Sequence, residues 1–189
     1  LEVLAHPLAL PVLADPRHAQ PLHPYRQVFW GWPGSCQGRA VADGEMIETE
    51  HHAFQVIYTP GHSQDHLCLY EPDQGWLFSG DLFVGGKDRA IRQGSDIWEI
   101  IASLKRIAAL PLEWLFAGSA RVRQDPAQEI ADKIVYYESL GEQALELHRQ
   151  GFSETQIVRR LCGGGMTVER VTLGHFSRRW LVRAYLNQS

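Results

Sequence analysis

Apolar positions keep two different periods along this chain. From residue 45 to residue 79 they come in short alternating or contiguous runs. Beyond Gly94 they recur three and four residues apart. The first pattern fits strands and the second helices. Phe54, Val56 and Tyr58 alternate, predicting a strand over residues 53–59 beside one over 45–50. Ala42-Asp43-Gly44 marks a turn just before them. Runs at 67–70 and 76–79 predict a second pair, joined by the turn-forming Glu71-Pro72-Asp73-Gln74-Gly75.

Ile97, Ile101, Leu104, Ile107 and Ala108 predict a helix that Pro111 ends, followed by an apolar strand at 113–117. A long helix should open with Asp125 as N-cap and Pro126 at its first position. Its stripe is Ile130, Ile134, Tyr137, Gly141, Ala144, Leu145 and His148, and Gly151 is the stop signal. Ser153 should cap a short helix through residue 161, Gly163-Gly164-Gly165 should turn, and residues 177–186 should close with Trp180 and Leu181 inward.

The N-terminal end is different. Residues 1–5 suggest a short buried strand, and Pro7, Pro11, Pro16, Pro21 and Pro24 exclude a long helix. Residues 25–34 suggest an aromatic-bearing loop, and no internal repeat or low-complexity run is present. The elements together predict an α/β (α+β layered) domain over residues 1–124 and a helical module over 125–189.

With 189 residues, 44% hydrophobic and 21% charged, the chain fits a globular protein of one domain with a small appendage. The net charge of −4 singles out no partner, but residues 151–189 carry +4 of it against −8 in the remainder. Cys36, Cys68 and Cys162 are far apart and in no C-x-x-C pattern, which suggests reduced thiols and a cytoplasmic setting. No apolar run reaches the roughly 18 residues that span a bilayer, so no membrane partner is expected. No basic-then-apolar leader is visible. Leu1 stands where an initiating Met is expected, so cleavage or residues outside this sequence are both open.

The candidate chemistry lies in Thr59-Pro60-Gly61-His62-Ser63-Gln64-Asp65-His66 and in Leu77-Phe78-Ser79-Gly80-Asp81. Each puts a side chain that can ligate a metal on a turn at a strand end. Hydrolytic zinc needs neutral imidazole and carboxylate donors and an open position. His62 and Asp81 are two such donors, where three protein ligands are usual. The alternative is a strand-end histidine held by backbone and an aspartate serving a turn.

These motifs resemble those of the metallo-β-lactamase superfamily. The resemblance runs from Leu1 to about Ser119 and includes Leu4-Ala5-His6-Pro7, Ser103-Leu104-Lys105-Arg106 and Leu115-Phe116-Ala117-Gly118. It implies an αββα-type fold, N-terminally incomplete here, and a C-terminal module similar to the winged-helix-like tail of one branch. It implies His62 and Asp81 as metal ligands, Asp81 bridging. The implied cofactor is one or two Zn²⁺, with another divalent metal or none as alternatives. The implied activity is attack of a metal-bound hydroxide on an ester, thioester, lactone or phosphodiester, with a small-molecule ester or thioester as substrate.

Two departures matter. No His-x-His-x-Asp-His motif occurs in the chain, and Gly118-Ser119-Ala120 puts Ser119 where the family has a histidine ligand. The alternatives are therefore a non-catalytic member with a vestigial site and a nucleic-acid-processing member using the basic tail.

Asp65 and His66 are candidates for orienting His62 or a water, against a turn cap and a strand histidine. Adjacent His51 and His52 point to opposite faces and make poor co-ligands. Tyr25, Phe29, Trp30 and Trp32 are candidates for a substrate pocket, with Trp30, Trp32 and Arg89 the foremost, against packing on the sheet. Lys87, Arg89 and Arg92 suit a carboxylate or phosphate, against an ordinary solvated loop. His6, His18 and His23 suggest surface positions, and His148 and His175 structural ones.

Overall fold

A computed structural model describes residues 2–20 and 22–187. Leu1 of the expected first strand and Pro21 of the proline series lie outside the described residues. In chain order, β1 (Leu4–Ala5) precedes a 3₁₀ turn (Pro7–Ala9), α1 (Leu10–Ala14), α2 (Pro16–Ala19) and α3 (Pro24–Trp30). Next come β2 (Arg39–Ala40), β3 (Met46–Glu48), β4 (Ala53–Tyr58), β5 (Leu67–Glu71), β6 (Trp76–Gly80) and β7 (Ile91–Arg92). The remainder is α4 (Ile97–Ala108), β8 (Trp114–Ala117), β9 (Val122–Gln124), α5 (Ala127–Arg149), α6 (Glu154–Cys162), α7 (Thr167–Val171), β10 (Phe176–Ser177) and α8 (Arg178–Leu186). The architecture is layered α/β, as the sequence pattern predicts.

The main sheet has six strands in the order β3-β4-β5-β6-β8-β9. Only β6 and β8 run parallel, because α4 carries the chain between them. Its two faces have different fates. Ile57, Cys68, Tyr70, Leu77 and Leu115 point toward α4 and α5 and are buried. Trp76, Phe78, Trp114 and Phe116 alternate onto the other face, where Phe78 and Phe116 stack at 4.7 Å and Phe54 meets Phe78 edge-on at 5.8 Å. Phe78 is 38% exposed and Trp114 37%, so this aromatic face is partly open.

Several expected elements differ in the structure. Residues 24–30 form α3, not a loop: Pro24 sits in its first turn and Gly31, at φ +69°, ends it. The first strand is only Leu4–Ala5, half-buried, and pairs in parallel with Arg39–Ala40. Asp125 does not cap α5. It takes φ +47°, and Pro126 occupies the N-cap position with no side-chain bond. On α5 the buried stripe includes Lys133 and Leu140, whereas His148 is exposed. On α8, Leu181, Val182 and Tyr185 are buried and Trp180 packs against the core at half burial.

One cluster of buried side chains runs from Ile57 to Tyr185, so the sheet, α4 and the C-terminal helices share a core. Gly141 lets α5 approach α8: a Cβ there would meet the Tyr185 ring at 2.8 Å. The Tyr185 hydroxyl donates to the Tyr137 carbonyl at 2.7 Å. Glu169 ties α7 to α8 by accepting from Ser177 Oγ, the Arg178 amide and the Arg178 guanidinium at 2.8–3.1 Å. Arg178 reaches the Gly163 and Gly164 carbonyls as well. Of the other tail arginines, Arg179 and Arg183 pair with Glu154, and Arg160 lies over the Phe152 ring at 4.3 Å. No helix among the described residues is long and apolar enough to cross a membrane.

Leu104, fully buried, is expected to lose about 2–5 kcal/mol of unfolding free energy on Leu104→Ala in urea denaturation. Phe78→Ser, on the open face, is expected to lose about 1 kcal/mol or less. Comparable losses would mean that both faces are core.

The Arg178 side chain above all holds the Glu169 carboxyl down to about 2, against an ordinary value of 4.5, although burial opposes it. A carboxyl lowered in the folded state stabilises fully above its unfolded value and less as pH falls through the folded one. Acid unfolding should therefore steepen between about pH 4.5 and 2 in the native protein. Glu169→Gln should remove that steepening and cost about 1–3 kcal/mol at neutral pH. An unchanged acid-unfolding curve would count against the role.

Candidate metal centre

The loop after β4 is fixed by its carbonyls. Ser103 Oγ donates to the Pro60 carbonyl at 2.8 Å, and the Asp96 amide to Gly61 at 2.9 Å. The His62 carbonyl accepts from Arg92 at 2.9 Å and Ser95 at 3.0 Å. Gly61 permits this approach. Its φ is +127°, and a Cβ would lie 2.4 Å from the Ile100 amide nitrogen. With its backbone held against the start of α4, His62 turns its ring toward the end of β6.

There the His62 Nε2 lies 3.4 Å from Asp81 Oδ2. The imidazole is mostly buried, whereas the Asp81 side chain is 58% exposed. Burial, reinforced by the Arg92 charge and opposed by Asp81, pushes His62 down to about 4. The ring is therefore neutral at physiological pH, the form in which it ligates a metal. His66 is also pushed below its ordinary value, first by burial, with Asp81 and Asp65 opposing. Its Nδ1 meets Thr59 Oγ1 at 2.8 Å, and its ring stands edge-on to His62 with centroids 6.1 Å apart. Gly80, at φ +49°, leaves room for His66: a Cβ would meet Nε2 at 2.9 Å.

His62 and Asp81 both line a cavity of about 360 Å³. Lys87, Asp88, Arg89 and Arg92 supply its charged wall, and Val84, Met166, Val168 and Phe176 much of its apolar wall. Arg89 thus lies with the two candidate ligands. Asp65 does not line the cavity but acts through its charge on His66 and Arg92. Ser119 donates its hydroxyl to the Val84 carbonyl at 3.2 Å, bracing the loop after Asp81. Trp30 is 73% exposed and lines a separate groove with Arg26 and Pro33. Trp32 lies beneath the Arg17 guanidinium at 5.9 Å. Neither tryptophan lines the cavity.

Some cavity residues escape the sequence reading. Met166, Val168 and Phe176 come from the C-terminal segment, and no local pattern announces them. Asp88 accepts from Lys133 Nζ at 2.5 Å and from the Tyr137 hydroxyl at 2.9 Å. A lysine interrupting the apolar stripe of α5 is its available signal.

The donors present are one neutral imidazole and one carboxylate. Among the described residues, no group of three or more His, Cys, Asp or Glu side chains could hold a metal ion. The pair therefore fits part of a metal site and falls short of the three ligands of catalytic zinc.

The family model of the metallo-β-lactamase superfamily matches residues 40–119, a stretch that contains both donors. A hydroxyacylglutathione hydrolase of Maricaulis maris is 41% identical over 75 residues, covering 39% of this chain and 28% of that protein. An atrochrysone carboxyl ACP thioesterase of Aspergillus fumigatus is 27% identical over 96 residues, covering 51% of this chain and 30% of that protein. A metallo-β-lactamase family protein of Thermus thermophilus superposes with TM-score 0.62 at 19% identity, covering 98% of this chain and 64% of that one. A protein solved in a di-iron-bound form superposes with TM-score 0.52 at 31% identity, covering 68% of this chain and 62% of that one. The matches thus span about a third or less of the two enzymes and under two thirds of the two solved chains.

Gly61→Ala should destabilise the fold by about 1–3 kcal/mol or more, because both the backbone angle and the space refuse a side chain. Gly34→Ala, where a Cβ meets nothing within 4 Å, should change stability by about 0.5 kcal/mol or less. Urea denaturation compares them, and a neutral Gly61→Ala would show that the loop is not clamped.

Proposed function

The chain belongs to the metallo-β-lactamase superfamily, and from that premise we propose that it serves a metal-dependent hydrolase of small acyl esters or thioesters. The carrying observation is the His62–Asp81 pair, 3.4 Å apart and lining a cavity that also carries Lys87, Arg89 and Arg92 and several apolar side chains. In this reading His62 and Asp81 hold the ion together with donors beyond this pair. The metal of such a centre supplies Lewis acidity and an activated water.

The chain's own residues then do the binding. Arg92 and Ser95 hold the His62 backbone, so the imidazole is presented without rearrangement. Gly118 packs closely against Asp81, where a Cβ would meet Oδ1 at 2.8 Å. Lys87 and Arg89 face the substrate's anionic groups, and Val84, Met166, Val168 and Phe176 take its acyl part. Relatives named as a hydroxyacylglutathione hydrolase and an ACP thioesterase support a thioester over a phosphodiester. Zinc and iron are both compatible with a histidine and a carboxylate.

A second reading has its own observation. Ser119 donates its hydroxyl to Val84 rather than offering a donor beside Asp81, as in a non-catalytic member whose cavity only binds. Elemental analysis of purified protein separates the two. The hydrolase reading expects about one or two metal ions per chain, and no bound metal favours the binding module.

His62→Ala and Asp81→Ala should each lower metal-dependent hydrolysis of a short acyl thioester by about a hundredfold or more. Unchanged turnover in either variant would sink the hydrolase assignment.

A further inference from the structure

Arg92 lines a second, smaller cavity of about 110 Å³ together with His23, Arg26, Gln93 and His175. Three segments distant in sequence build it: the start of α3, β7 and the residue before β10. They are joined by direct contacts. Gln93 donates its amide to the His175 carbonyl at 2.8 Å, and Arg92 is in register with Phe176 across β7 and β10. The His23 and His175 rings stack at 4.3 Å and 18°. The Tyr25 hydroxyl meets His175 Nδ1 at 2.9 Å.

The charge of this cavity is one-sided. It is lined by two guanidiniums and two imidazoles, and by no carboxylate among the described residues. Asp65 and Asp81, the acids acting on Arg92, lie outside it. Two buried nitrogens, Arg92 Nε and His23 Nδ1, have no hydrogen-bond partner among the described residues. The first is always a donor. Burial, followed by the charges of His23, Arg26 and Arg92, pushes His175 down to about 4. Two half-buried guanidiniums with no carboxylate lining the cavity beside them, one carrying an unused donor, are arranged for an anion.

We propose that this cavity binds a small oxyanion, a phosphate or carboxylate group, gripped by Arg26 and Arg92 and flanked by His23 and His175. Such an anion ties α3 to the β7–β10 ribbon and steadies Arg92, which itself holds the His62 carbonyl. The anion is either free in solution or the charged end of a longer ligand. The proposal requires no hydrolysis, so it stands or falls apart from the function above.

Isothermal titration calorimetry with inorganic phosphate at constant ionic strength tests it. Wild-type protein should bind one phosphate per chain. Arg26→Gln should bind at least tenfold more weakly, and Arg149→Gln, a distant surface arginine, should match wild type. His23→Gln gives a second reading in the same direction if Arg26→Gln does not fold. No saturable binding by wild type would overturn the proposal, and so would equal affinity in wild type and in the folded cavity variants. Hexyl phosphate distinguishes the sources. Tenfold tighter binding than phosphate assigns the site to the charged end of a longer ligand, and equal affinity assigns it to a free oxyanion.

Discussion

Three consecutive carbonyls, those of Pro60, Gly61 and His62, hold the candidate site in place. Each bonds to a different later part of the chain: Ser103 in the middle of α4, Asp96 at its N-cap, and Arg92 with Ser95 just before it. A loop at a strand end has no ladder hydrogen bonds of its own to hold it. Here its acceptors are satisfied by groups already fixed by the α4 core, among them Ile100, Leu104 and Ile107. Gly61 is the condition for this. A side chain at that position would push α4 away, and with it the Ser103 and Asp96 donors.

The same constraint explains the electrostatics. Arg92 is placed to grip the His62 carbonyl, so a positive charge stands beside a buried imidazole and opposes its protonation. Asp81, mostly in solvent, offsets this only in part. The outcome is a neutral nitrogen facing a carboxylate, a pairing suited to a cation between them. Arg92 cannot be placed without β7, and β7 exists because β10 pairs with it. The C-terminal segment therefore bears on the site through a two-residue ribbon as well as through Met166, Val168 and Phe176 in the cavity wall.

Legibility in the sequence follows the range of the interactions. β4, β5, β6, α4, β8 and α6 are readable because period and turn residues encode them locally. Gly61-His62 and Gly80-Asp81 are readable as strand-end motifs, and the cavity holds both. β7, β10 and α7 are not, since two-residue strands and a five-residue helix rest on tertiary pairing rather than on propensity. α3 reads as a loop because its aromatic run has no amphipathic stripe. No residue of it is buried, so there is no stripe to find. Lys133 shows the opposite case. Its position on α5 is a core position, made tolerable by Asp88 and by the Phe83 and Tyr137 rings 5.1 and 5.6 Å away.

The distribution of paired and unpaired cations decides where a charged ligand belongs. The C-terminal excess of arginine looks like a basic face in sequence, yet Arg178, Arg179 and Arg183 are neutralised by Glu169 and Glu154 of the same C-terminal segment. Arg159, Arg160 and Arg170 remain as exposed tail arginines without a carboxylate partner among the described residues, Arg160 lying over the Phe152 ring. Three such charges make a short track for a nucleic-acid backbone, whose binding grows with the number of phosphates neutralised. Around His62 the balance is reversed. Arg26, Arg89 and Arg92 converge on two adjoining cavities that share Arg92, and none of the three pairs with a carboxylate among the described residues. Arg26 and Arg92 are half-buried, and such cations interact more strongly than solvated ones because water screens them less. The field of this chain therefore favours a small anionic ligand beside the candidate metal centre over a polyanion along the tail.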